Sequence, residues 1–136
     1  MKTVPVSELS GLALDWAVAK CEGHLKGGFF APCKLENGTL KNYAGEPDPY
    51  HDELPDYSPS SDWSLAGPII EREKIDLFTE KGTPESWCAS VARYQNGKRL
   101  VGWRIHAYGP TPLIAAMRCY VASKLDDTVE IPDELL

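Results

Sequence analysis

Apolar positions recur at helical spacing in three stretches of this chain and alternate in one. Leu9, Leu12, Trp16 and Ala19 share one helical face and Leu14 with Val18 a second, predicting a helix over 8–21 that stops at Gly23. Ser7 is its expected N-cap, and with only Glu8, Asp15 and Lys20 charged, the helix should be buried on more than one side. A second helix is predicted over 61–73, capped by Ser or Asp, with Trp63, Ala66 and Ile70 inward and a kink or break at Gly67-Pro68. The third, over 111–125, has Thr111 as N-cap, Pro112 at the first helical position and a stripe of Leu113, Met117, Tyr120, Val121 and Leu125.

Between the second and third helices the period changes to two. Strands are expected at Ile75–Thr79, Trp87–Tyr94 and about Arg99–Tyr108, with Asn96-Gly97 as a type I′ hairpin turn that pairs Gln95 with Lys98. In that register Cys88, Ala92, Val101, Trp103 and Ile105 face the core. Trp87, Arg104 and His106 share the opposite face, with Gly102 leaving room beside them. A short extended tail follows through Val129 and Ile131.

The stretch 23–61 is punctuated rather than periodic. Gly27-Gly28-Phe29-Phe30 reads as a short strand entering the fold. Over 43–59, Pro47, Pro49, Pro55 and Pro59 stand among acids, which predicts a long acidic loop or lid tacked down by Tyr43, Tyr50 and Tyr57. Together these elements predict one α+β domain over 1–136, an antiparallel sheet packed with helices.

Charge adds an asymmetry. The chain of 136 residues has a net charge of -6, yet residues 43–62 hold six acids and residues 126–136 five, neither with a Lys or Arg. The remaining 105 residues hold 14 bases against 9 acids, a net of +5. So much acid argues against nucleic acid as a partner. The N-terminus lacks the pattern of a signal peptide and no apolar run reaches membrane-spanning length, so a cytoplasmic location and no membrane partner are expected. Cys21, Cys33, Cys88 and Cys119 form no CxxC pair and His24, His51 and His106 are scattered, so no metal and no cofactor are expected, and the thiols read as reduced, at least three of them buried.

The Walker lysine loop, GxGxxG, GxSxG and HExxH are absent, so an enzyme is the least supported reading. One place has a mechanism for binding. The start of the last helix offers free N–H groups and a positive dipole end. Gly109 and Thr111 lie there, Arg104 and His106 on the strand leading in, Arg118 two turns on, and Trp87 and Trp63 offer rings. That set suits a small anionic or nucleotide-like ligand. The plainer reading is that Thr111 caps its own helix and the tryptophans are core.

Three ordered blocks carry a family resemblance. Ser7-Glu8-Leu9-Ser10-Gly11 with Leu14-Asp15-Trp16-Ala17-Val18-Ala19, then Tyr57-Ser58-Pro59-Ser60-Ser61-Asp62-Trp63 with Gly67-Pro68-Ile69-Ile70, then Gly109-Pro110-Thr111-Pro112-Leu113-Ile114-Ala115-Ala116-Met117-Arg118 with the close at Val129–Pro132, resemble the NinX family of lambdoid-phage and prophage proteins. The resemblance implies a phage accessory protein of the bacterial cytoplasm. The half after Ser60 also looks like a phage domain described as an α/β/α sandwich. No activity or catalytic residue comes with it. Two functional expectations follow: a non-enzymatic binder that sequesters a small anionic or nucleotide-like molecule, countering host defence, or a protein-interaction module that blocks or redirects a host protein through the acidic loop. An oligomer is compatible with both.

Overall fold

The computed structural model describes residues 1–44, 54–82, 86–95 and 98–136, with side chains described outside 93–95 and 99–103. Its centre is a helix. α3, Pro112–Lys124, buries Leu113, Ala115, Ala116, Met117, Arg118, Cys119, Tyr120 and Val121, which point in every direction around its axis. The single stripe expected from sequence is therefore only part of its buried surface, and Leu125 just beyond it is exposed. Burial all round needs partners all round. On one side lies a sheet of three antiparallel strands, β4 (Asp76–Thr79), β5 (Trp87–Gln95) and β6 (Lys98–Gly109), in the order β4-β5-β6. On the other lie α1 (Gly11–Cys21) and α2 (Trp63–Glu73), both against α3. The fold is α+β, with its described helices layered on one side of the sheet, unlike the order of an α/β/α sandwich.

The helices start where their caps allow. Val6–Glu8 forms a 3₁₀ turn instead of the first turn of α1, Leu9 is extended, and Ser10 occupies the N-cap position, so Ser7 does not cap this helix. Ala13 to Ala19 are buried without a break, as its two apolar faces require. Asp62 caps α2, its carboxylate accepting from Ser64 N at 2.9 Å. The helix runs through Gly67-Pro68 without a break. Ala66 and Ile69 supply its buried face, and Trp63 at its first position is 55% exposed instead of inward. Arg72 of α2 donates to Glu22 Oε1 at 3.0 Å, just past α1, and to the Tyr120 hydroxyl of α3 at 3.3 Å, tying three helices together.

β5 and β6 begin in the predicted register, Gln95 opposite Lys98 and Tyr94 opposite Arg99; the turn residues Asn96 and Gly97 lie outside the described ones. Between Tyr94 and Ala92 the pairing jumps, so that Ala92 faces Arg104 and not Val101, and this shift persists to Trp87 opposite Gly109. Side chains alternate with a period of two, so an odd shift exchanges faces. Ala89 and Val91 now join Ile105 and Ala107 on the core side. Cys88 moves to the outer face with Ser90, Arg104, His106 and Tyr108, while Trp87 packs against the core. Burial against α3 overrides the register dictated by the turn. The side chains of Val101, Trp103 and Gly102's surroundings lie outside the description.

Two smaller pairings complete the chain. β1 (Lys2–Pro5) and β7 (Thr128–Ile131) join the two ends antiparallel, burying Val4, Val129 and Ile131. β2 (Cys33–Glu36) and β3 (Thr39–Asn42) form a hairpin about Asn37 and Gly38, both with positive φ (50° and 76°), the conformation of a type I′ turn. Beside β3 the end of the proline-rich segment is docked. Tyr57 N donates to Leu40 O at 2.8 Å, Asn42 N to Pro55 O at 2.9 Å, and Tyr57 is buried. Of the expected loop 43–59, residues 54–59 are thus held, Tyr43 is exposed, and 45–53, with Tyr50, lie outside the described residues.

Candidate functional site

The start of α3 is built as predicted, and two of its first donors are used internally. Thr111 Oγ1 accepts from Ile114 N at 3.2 Å, and Ala115 N donates to Thr111 O at 3.1 Å. Gly109 is buried directly over this turn. A Cβ there would sit 2.7 Å from Ala115 N and 3.0 Å from Ile114 Cγ2. The close approach that Gly109 permits is that of β6 to its own helix.

The other residues of the expected site separate. Arg118 is buried, its Nε donating to Leu9 O at 2.8 Å and its Nη1 to Tyr108 O at 2.8 Å, so it pins the segment before α1 to the end of β6. Arg104, on the outer face of the sheet, donates to Ser90 Oγ at 3.0 Å and to Asp76 Oδ2 at 2.6 Å, bridging three strands. His106 is exposed on that same face, Trp87 lies on the opposite one, and Trp63 stands at the start of α2. One cavity of about 290 Å³ does bring His106 and Arg118 together, with Val6, Ser7, Ala107, Tyr108, Ala122 and Asp127. Asp127 in that lining opposes an anion.

Buried titratable groups lie elsewhere. Asp15 of α1 accepts from Ser60 N at 2.8 Å, and burial, opposed by the Ser60 hydrogen bonds and aided by the charge of Asp56, pushes its carboxyl up to about 6. All four cysteines are free, with Cys33, Cys88 and Cys119 buried. Burial pushes Cys21 and Cys119 up to about 12 and Cys33 to about 11, which leaves little thiolate at neutral pH. Among the described residues no group of three or more His, Cys, Asp or Glu side chains is placed to hold a metal ion.

The least expected surface is a pair of phenylalanines. Gly27 and Gly28 take positive φ (111° and 56°), which glycine adopts without a steric penalty, and turn the chain into a 3₁₀ turn over Gly28–Phe30 where a strand was expected. Phe30 N donates to Gly27 O at 3.0 Å and Ala31 N to Gly28 O at 3.2 Å. The turn lifts Phe29 and Phe30 into solvent, 82% and 85% exposed. They meet edge to face at 5.3 Å, and Lys34 Nζ lies 4.4 Å from the Phe29 ring centroid while donating to the Phe29 carbonyl. Two adjacent glycines before two aromatics were the available signal; the apolar character of Phe-Phe suggested burial instead.

These elements span the stretch over which the chain matches a known family. The family described as Bacteriophage P22, NinX matches residues 5–124. The chain belongs to the NinX family. It is thus a phage accessory protein. Comparison with curated proteins gave no match. Among the described residues no helix is long and apolar enough to cross a membrane.

Proposed function

We propose that this NinX-family protein acts by binding another protein in the cytoplasm of the bacterial host, without catalysis, and that Phe29 and Phe30 are its anchor. The observation that supports this is their exposure, 82% and 85%, on a turn built to project them. Burying one large apolar side chain contributes about 1.5–3 kcal/mol, so a lone protein leaves that much unused for each ring. Aromatic side chains at the centre of an interface are the residues that most often dominate its affinity. The contact surface differs from the acidic loop expected from sequence.

Native mass spectrometry of protein purified from a bacterial host tests this reading. Wild type should carry a stoichiometric protein partner, and Phe29→Ser with Phe30→Ser should lose it while keeping its melting temperature. A partner retained by the double variant would overturn the assignment.

A second reading keeps the small anionic or nucleotide-like ligand, because His106 and Arg118 line one cavity. Its counterweight is that the Arg118 guanidinium already serves two carbonyls and that Asp127 stands beside it. A thermal-shift screen with nucleotides and cyclic dinucleotides separates the two, since only this second reading expects a shift that His106→Ala abolishes.

A further inference from the structure

Resting on the protein-docking reading above, we infer the chemistry of the partner's site: an apolar pocket whose rim carries carboxylates facing Lys26 and Lys34. The first support is shape. Phe29 and Phe30, both largely exposed and set edge to face, project from the turn, and a partner that buries both rings must enclose them. The rings are also held before binding, by each other, by Lys34 and by the hydrogen bonds of the 3₁₀ turn. A pre-ordered anchor loses less freedom on docking.

The second support is charge. Residues 24–44 contain Lys26, Lys34 and Lys41 against one acid, Glu36, although the whole chain is at -6. Glu36 accepts the hydrogen bond of the Tyr43 hydroxyl, and Lys41 pairs with Asp56 at 3.2 Å. Lys26 and Lys34 pair with no carboxylate among the described residues. Lys26 is exposed on the approach to the turn, and Lys34 stands against both Phe29 and Tyr43, 5.0 Å from the latter ring centroid. A pocket that swallows the two rings brings its rim onto these two ammonium groups. Uncharged or basic rims would leave both ammonium charges desolvated without a carboxylate, so acidic rims are selected.

The test begins with p-benzoylphenylalanine in place of Phe30, irradiated in a bacterial host, with the cross-linked peptide sequenced by mass spectrometry. The cross-linked protein is then purified and titrated calorimetrically at low and high salt. The titrants are wild type, Phe29→Ser with Phe30→Ser, Lys26→Glu with Lys34→Glu, and Lys2→Glu as a control on β1. The inference expects a cross-linked apolar segment flanked by Asp or Glu. It also expects at least a tenfold loss for the lysine reversal, a weakened salt dependence in that variant, and no change for Lys2→Glu. Loss with the phenylalanine variant but not with the lysine reversal overturns the acidic rim and leaves the docking reading standing. Cross-links only to a second copy of this chain, or to lipid, overturn the inference as well. No cross-link overturns both, whether native mass spectrometry then finds no protein partner or one that the phenylalanine variant retains. Unchanged melting temperatures show that each variant is folded.

Discussion

At the scale of single residues, the fold is held by groups that resemble binding residues in the sequence. Arg118 and Arg104 looked alike there, yet one is buried on two carbonyls and the other spans the outer sheet face to an exposed aspartate. Arg118→Ala should therefore cost about 3 kcal/mol or more, since each charged hydrogen bond contributes about 1.5–3 kcal/mol and two carbonyls lose their donor. Arg104→Ala should cost about 1 kcal/mol or less, because an exposed pair contributes little. Chemical denaturation of both variants checks the contrast. Gly109→Ala should cost about 1–3 kcal/mol by overpacking, as the new methyl meets the α3 backbone. Asp15 gives a pH dependence of known sign. Its folded pKa, about 6, lies above the ordinary 3.8, so its stabilising contribution is complete below about 3.8 and is lost as pH rises through about 6. The difference is on the order of 3 kcal/mol between those limits. Denaturation curves from pH 4 to pH 7 should show wild type losing that stability relative to Asp15→Asn, whose own profile is flatter.

At the scale of elements, the two Asn-Gly dipeptides make the relevant comparison. Asn37-Gly38 closes the β2–β3 hairpin with both residues at positive φ. Gly38→Ala should cost about 1–2 kcal/mol, the penalty of a left-handed conformation for a residue with a Cβ, and Asn37→Gly should be tolerated. Equal melting temperatures for Gly38→Ala and wild type would contradict that turn. The sequence showed the same dipeptide twice, but only Asn96-Gly97 stood between runs apolar enough to read as strands. Leu35 and Leu40 are the main apolar residues flanking the first turn, and its strands are four residues each. Helix caps at Thr111 and Asp62 were legible because they depend on local chemistry alone. The faces of β6 were legible too, with Ile105 inward and Arg104 and His106 outward, but those of β5 were not, because the irregularity between Ala92 and Tyr94 is decided by how Ala89, Val91, Ile105 and Ala107 meet a helix that follows later in the chain. The expected grouping of Trp87 with Arg104 fell with that register, since the two face opposite sides. The Phe29–Phe30 turn was illegible for a different reason. Hydrophobicity signals burial, and only the backbone path shows that the turn carries both rings into solvent.

At the scale of the whole molecule, the three buried thiols sit in three separate parts of the architecture. Cys33 lies in β2 of the β2–β3 hairpin, Cys119 in α3, and Cys88 on the outer face of the sheet beside Tyr108. If 1–136 is one cooperative domain, Cys33 and Cys119 become accessible only when the whole fold opens, because both belong to the same buried hydrophobic cluster. Their alkylation should then be governed by one opening free energy, equal to the unfolding free energy from denaturation. Cys88 should react sooner, since on the outer face of the sheet it is flanked by Phe78 and Tyr108, both half-exposed, and a local side-chain movement suffices. Cys21, partly exposed at the end of α1, should react first, at a rate limited by its scarce thiolate, its pKa being pushed up to about 12. Pulsed alkylation with mass spectrometry resolves the four sites. The expected order is Cys21, then Cys88, then Cys33 and Cys119 together. If Cys33 labels well before Cys119, the hairpin and the docked segment 54–59 open as a separate unit, and the single-domain description of 1–136 fails at that boundary.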